Sequence, residues 1–490
     1  MTEDSSNREN AKIFWLAGGV LLLKLILLPF VQNTDADAVL RVFGAQEWKE
    51  HPVWISSGVW GPFHFYLNGI ALMIWNNTIY APVILNVLLS TFTLFPFYYF
   101  TRRELNEKGA FISTIFLAIC PILFRISFLP LSETPYLLFI VLTMNFISKG
   151  LREERIIIYL LAGFCLTLAS GFRYEAWLLI ILFGVMIVLT GKWKEAFLFG
   201  SVALIFPLIW LVQNYSTTSN ALFSFQLAFD AMNNKEDLHF VSYLRRTWFF
   251  PFSWMIALGP PAAWITIRII FGSYIKVNRN LYRIIWTIPL FGVYLFFYYN
   301  ALKGSLLLQH RFTGTLVVLS LPYFALYFKE ISKKKTKNAF LFVLATIGLS
   351  FAWNTYGVKP LPRLKDQSGD KVSKLIENKI EKNSALIVDF WNWENTYYIA
   401  HRSKLPLNNI AIIFGTKNSD IQKERIQQLL NDHPGGVILL KKNSPLFNDA
   451  IIKGDQLRFK WYDGSLEFSE LFQNNEVFVY SYLHAGKSLN

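Results

Sequence analysis

The chain has 490 residues, 53% of them hydrophobic and 17% aromatic, with a mean hydropathy of +0.34. Only 16% are charged, against about 25% in soluble domains, which excludes an ordinary soluble globule and indicates a polytopic membrane protein with some soluble mass attached. The net charge of +14 does not point to nucleic acid, because Lys and Arg cluster in short loops between apolar runs, the pattern that orients a membrane protein and favours anionic headgroups.

Met1 to Lys12 is polar and lacks a cleavable signal pattern, so the apolar run Ile13 to Val31 is expected to be a retained first span. A span needs about 20 apolar residues. Eleven candidates follow: 13–31, 79–101, 110–128, 134–149, 156–171, 176–190, 197–213, 248–271, 284–299, 312–328 and 339–357. With Met1 inside, every inner loop is basic, from Arg102-Arg103 through Arg152, Lys192 and Arg279 to Lys333-Lys334-Lys335. The odd count places the tail on the side opposite Met1. Gly61 to Trp75, which holds His64 and Asn68, would invert every later loop if it crossed; it is expected to lie along the outer surface as an amphipathic helix. The first outer loop then holds two surface helices, one from near Asp37 and one from near Pro62. Cys120 and Cys165 lie within apolar runs, so disulfides have no role.

The outer segment 214–247, with Asp230, Asp237, His239 and Arg245-Arg246, is expected to be a long loop, functional or mobile. After the linker at Lys359 the composition changes. Ala385 to Asp389, Ile410 to Phe414 and Gly436 to Leu440 read as buried strands, with a helix over Ser419 to Asn431. The organisation expected is a transmembrane catalytic domain, 1–358, and a small extracytoplasmic α/β domain, 359–490.

Chemistry is expected on the outer face. Asp35 and Asp37 follow the first span directly; either is able to cap the helix that starts there, and one is able to cap while the other acts as a base. Arg125, Glu133, Arg173 and Glu175 lie at outer ends of spans, where structural ion pairing competes with a substrate role. Arg245, Arg246, His310 and Arg311 precede spans running inward; anchoring at the interface competes there with a cationic seat for phosphate, which Arg binds bidentately. Lys24 stands in mid-span without an evident partner. Trp391, Trp393 and Tyr397 in the outer domain suit either core packing or stacking on sugar rings. No phosphate-binding Gly-rich loop, CxxC pair or HExxH occurs, which argues against an ATP-driven pump or a sugar-nucleotide enzyme. Acids beside a phosphate seat suit a polyprenyl-phosphate sugar, whose tail sits in lipid and whose leaving phosphate needs cations more than a general acid.

These residues carry a resemblance. Asp35 and Asp37 after the first span, Gly61-Pro62-Phe63-His64-Phe65-Tyr66, Ser132 to Tyr136 and Arg311-Phe312 are similar to motifs of the GT-C integral-membrane glycosyltransferases, among them protein O-mannosyltransferases and aminoarabinose transferases. Many relatives have an adjacent Asp-Glu pair where this chain has Asp-Ala-Asp, so the resemblance does not choose between Asp35 and Asp37. It implies an inverting transfer from a polyprenyl-phosphate sugar to a glycan, lipid or protein acceptor outside the membrane. Asp35 or Asp37 would be the base, with Arg311, His310, Arg245, Arg246 and Arg173 at the donor phosphate. Arg41, His64, Glu133, Glu175 and Arg125 would bind substrate. The spacing of Asp35 to Arg41 also resembles the acidic motif of the oligosaccharyltransferase catalytic subunit, which leaves a divalent metal open although no ligand set is readable. The competing readings are a transporter or flippase of lipid-linked sugars and a polymerase or ligase of surface polysaccharide. Charges biased to one face, without half-to-half symmetry, rank the flippase second. Lys-, Asn- and Ile-rich usage places the chain in a bacterial inner membrane ahead of the endoplasmic reticulum, though Asn76 and Asn214 sit in outer sequons.

Overall fold

The computed structural model describes residues 3–484 except 106, 234–239, 260–262, 264–265, 268–269, 271–284, 307, 332–340, 342–344, 346–347, 350–351, 353–357, 382, 415–418, 454–455 and 463–465. It is mostly helical and ends in a sheet. The first ten expected spans each coincide with helix, the eighth as far as Leu258, beyond which it lies largely outside the described residues, as does 339–357. Ala11–Phe30, Ala81–Glu104, Glu133–Glu153 and Trp193–Thr218 are long and apolar enough to cross a membrane.

Proline sets the breaks. Pro96 and Pro207 sit near the starts of Leu94–Glu104 and Ile205–Thr218, where each lacks the N–H that would bond back into the preceding helix. The preceding helices accordingly stop at Phe92 and Ala203. Glu107–Ile119 likewise ends just before Pro121.

Two corrections concern local structure. The expected loop 214–247 is largely helical, with Ile205–Thr218, Phe223–Asn233 and Phe240–Leu258; Asp237 and His239 lie outside the described residues. Lys24 does have a partner: its ammonium donates to Ser90 Oγ at 2.8 Å and lies 5.6 Å from the Phe124 ring. A carbon-rich span holds a buried ammonium only when such acceptors surround it. Lys24 lines a cavity of about 40 Å³ with Ser90, Thr93, Thr134 and Leu137.

The chain divides into two compact units. The first comprises Met1–Pro29, Val53–His64 and Ile84–Leu361; the second comprises Phe30–Pro52, Phe65–Val83 and Pro362–Asn490. Part of the segment that follows the first helix therefore groups with the C-terminal region. Within the second unit β1 (Ala385–Asp389), β2 (Ile410–Ile413), β3 (Gly435–Lys441), β4 (Ala450–Lys453), β5 (Gln456–Phe459), β6 (Leu466–Gln473) and β7 (Val477–His484) form one sheet, ordered β2-β1-β3-β7-β6-β5-β4. β1 pairs in parallel with β2 and β3; β7 runs antiparallel to β3 and opens an antiparallel half.

Alternation along the strands feeds two cores. Leu386, Val388, Val437 and Leu439 face one core with Val39 and Phe43 of Ala36–Glu50 and Tyr397 and Ile399 of Trp393–Arg402. Ile387, Ile438 and Leu440 face the other, with Ile426, Leu429 and Leu430 of Ser419–Asp432. The first surface helix thus completes the α/β core. The second, Phe63–Ile74, buries Leu72 with Ala45 and Ala81 and leaves Ile70, Met73 and Ile74 exposed. The two approach closely at Gly69, where a Cβ would meet the Trp48 ring at 2.3 Å.

Candidate active site

Four helix ends of the first unit carry a buried charge cluster. Glu133 and Glu175 each occupy the first residue of a helix, Glu133–Glu153 and Glu175–Val188, where the positive end of the helix dipole favours a carboxylate. Arg173 is the C-cap of Ile156–Phe172, the negative end, which favours a cation. Arg311 lies in the 3-10 turn His310–Thr313, just before Gly314–Ile331. The local sequence thus places each charge where its own backbone stabilises it.

Tertiary packing then joins them. Arg173 Nη1 is 2.6 Å from Glu133 Oε1, and Arg311 Nε is 3.2 Å from the same oxygen. Arg173 also grips Glu175, with Nη2 to Oε1 at 2.5 Å and Nε to Oε2 at 3.1 Å. Side-chain exposures are 4% for Glu133, 11% for Arg173, 12% for Arg311 and 17% for Glu175, so water screens these pairs little. Phe312 lies against both cations, its ring centre 4.9 Å from the Arg173 guanidinium carbon and 5.7 Å from that of Arg311. Tyr136 adds a ring 6.0 Å from Arg173, and Thr315 Oγ1 donates to its hydroxyl at 3.4 Å. Thr315 was missed by sequence reasoning; its one signal is the spacing of four from Arg311.

The segment around Gly58 and Gly61 is fastened next to Arg173. Tyr174 donates from its hydroxyl to the Gly58 carbonyl at 3.1 Å, and the Gly58 N–H donates to Ser224 Oγ. A Cβ on Gly61 would stand 2.3 Å from the Gly171 carbonyl oxygen, so both backbones approach in a way only glycine allows. His64 is buried, its ring 6.2 Å from that of Trp60.

The remaining candidates stand apart from this cluster. Arg125 donates to the carbonyls of Lys359 and Leu361, fastening the linker. Arg246 is buried and donates to the Ala301 carbonyl, against the positive-φ Gly304, while Arg245 is exposed. His310 shares a hydrogen bond with Ser253 Oγ at 2.9 Å and stacks on Phe249 at 5.0 Å. Burial lowers its pKa below the usual 6.5, so at neutral pH it is a hydrogen-bonding ring and not a cation.

Asp35, Asp37 and Arg41 belong to the second unit. Asp35 is the N-cap of Ala36–Glu50 and accepts from the Ala38 N–H at 3.2 Å. Asp37 sits in the first turn, and Arg41 is buried one turn on. Among the described residues no group of three or more His, Cys, Asp and Glu side chains is arranged to hold a metal ion.

Residues 51–212 match the PMT_2 family, described as dolichyl-phosphate-mannose-protein mannosyltransferase. No curated protein matches the chain. Among solved structures, ArnT from Cupriavidus metallidurans bound to undecaprenyl phosphate matches with a TM-score of 0.66 and 11% identity, over 96% of this chain and 97% of that one. The Archaeoglobus fulgidus oligosaccharyltransferase in complex with Zn and sulfate matches with a TM-score of 0.51 and 14% identity, over 87% and 67%. At such identities the likeness is one of fold. Fold and partial family match together define a fold class: the chain has the GT-C fold that these glycosyltransferases share. Within that class, the likeness to ArnT extends over nearly the whole of both chains.

Proposed function

We propose that the protein is an inverting glycosyltransferase that moves a sugar from a polyprenyl-phosphate donor to an acceptor on the extracytoplasmic face of a bacterial inner membrane. The ArnT structure is described as bound to undecaprenyl phosphate, and the matching family is described by its use of dolichyl-phosphate mannose. A lipid-phosphate donor for this chain is the reading these descriptions support.

The observation that carries the proposal is the shared carboxylate oxygen of Glu133, which holds Arg173 and Arg311 together in a largely water-excluded place. Two guanidiniums fixed in this way stabilise charge on a leaving phosphate without reorganising at the moment of reaction. Glu133 and Glu175 offset their charge while the donor is absent, which makes a buried cationic seat tolerable to the fold. Arg311 is assigned the main phosphate contact, because Arg173 is already committed to both carboxylates.

In the reaction, an acceptor oxygen bonds to the anomeric carbon as the bond from that carbon to the phosphate oxygen breaks. The electron pair leaves with the polyprenyl phosphate, and the acceptor proton goes to a carboxylate of the Asp35 and Asp37 pair. Asp37, in the first turn of Ala36–Glu50, is taken as the base, and Asp35 as the cap of that helix. Transfer from a lipid-linked sugar by the purified protein tests the proposal, with Asp37→Asn and Arg311→Ala as the variants. Undiminished transfer by both would reject it.

A further inference from the structure

The second unit carries an exposed aromatic shelf beside the candidate base. Trp393 opens the helix Trp393–Arg402 and is 53% exposed, unlike the neighbouring Trp391, which is buried with its indole N–H donated to Glu476. Three rings fix the Trp393 indole. Tyr397 stacks at 5.9 Å with planes 4° apart, Phe390 meets it edge-on at 5.1 Å, and Phe414 lies tilted at 5.9 Å. A large apolar face so held has little rotamer freedom left to lose on binding.

The same helix packs against Ala36–Glu50 through the core shared by Val39, Phe43, Tyr397 and Ile399. Asp37 stands in the first turn of that partner helix. Ala36 and Leu40, which flank Asp37 in the sequence, pack on the core that holds Tyr397, the ring on which Trp393 stacks. A flat, rigid indole face on a helix packed against the one that carries a carboxylate is complementary to a sugar ring, whose C–H face stacks on an aromatic face while its hydroxyls bond to acids. An extended peptide would instead be drawn to an open strand edge, where main-chain bonds supply affinity.

We propose that the Trp393 face, braced by Tyr397, Phe390 and Phe414, is an acceptor subsite that stacks a sugar ring and presents its hydroxyl toward Asp37. The acceptor is thereby assigned to the carbohydrate-bearing class, which rests on the transferase reading above.

The test measures saturation-transfer NMR on the full chain in lipid nanodiscs, with free chitobiose, cellobiose and mannobiose as probes and a serine-rich peptide as the competing occupant. Trp393→Ala should weaken binding of the responding disaccharide by roughly two- to tenfold, the size of one lost aromatic contact, and Trp393→Tyr should restore most of it. Equal thermal midpoints in the two variants and the wild type would show that folding is not the cause. Silence from all three sugars, a signal indifferent to Trp393→Ala, or a response confined to the peptide would each overturn the subsite. No lipid-linked donor is present, so this failure is distinct from failure of the transferase reading, which the donor assay measures.

Discussion

Arg311 Nε and Arg173 Nη1 converge on one oxygen, Glu133 Oε1, at 3.2 and 2.6 Å. Two cations that would otherwise repel are held side by side by a carboxylate at a helix start. Glu133→Ala should therefore lower stability by roughly 3–5 kcal/mol, since it leaves buried guanidiniums uncompensated. Thermal unfolding of the purified protein measures this; an unchanged midpoint would mean that Glu133 does not hold the pair.

Arg311→Ala should reduce transfer about 10²–10³-fold, as expected when one preorganised donor to a developing charge is lost. Arg311→Lys should recover only part, because an ammonium keeps the charge and loses the planar fork. Turnover at saturating lipid-linked donor distinguishes this from a loss of binding alone. Equal activity of the Lys variant and the wild type would rule out bidentate recognition.

Asp35 and Asp37 are separable by stability. Asp35→Ala should cost about 1 kcal/mol through loss of the cap on Ala36–Glu50, while Asp35→Asn should cost almost nothing, since Asn caps equally well. Asp37→Asn should leave the melting temperature unchanged and reduce transfer about 10²–10⁴-fold, the contribution of a general base. If Asp35→Asn proved the more damaging to transfer, the base would be Asp35.

Gly61→Ala brings a Cβ to within 2.3 Å of the Gly171 carbonyl oxygen, two residues from Arg173. Backbone has to shift to admit it, at about 1–3 kcal/mol. The shift should also move Arg173, so transfer should fall with stability. A variant of normal activity and normal stability would show that the backbones separate without consequence.

His401 gives a pH signature to the second unit. It is buried, its Nε2 is 3.1 Å from the Thr78 carbonyl oxygen, and burial depresses its pKa from 6.5 to about 4. The unfolded chain takes up a proton first as pH falls, so this contribution to stability is full above about 6.5 and is lost between there and about 4, amounting to roughly 3 kcal/mol. In His401→Leu the fall of the melting midpoint over that window should be shallower by this share. Parallel pH profiles for variant and wild type would contradict the assignment.

The sequence by itself determined the helices, because apolar runs of span length admit no other backbone-satisfied form in a membrane. It also determined the buried strands near 385–389, 410–414 and 436–440, whose unbroken apolar character marks strands covered on both faces; their parallel pairing is seen only in the structure. Glu133, Arg173 and Glu175 were legible as charges at helix ends, since Pro, Gly and capping residues flank them. What only the tertiary structure decided is which ends meet. Glu133 reaches Arg173 and Arg311, while Arg125 and Arg246 go to carbonyls, because contacts between distant segments depend on helix packing and leave no local periodicity to read. The same holds for Ala36–Glu50: its pattern marks a surface helix, yet Val39 and Phe43 close the core of a sheet that lies far along the chain. An amphipathic face states that it must be covered, and the partner that covers it is set by shape across the whole fold.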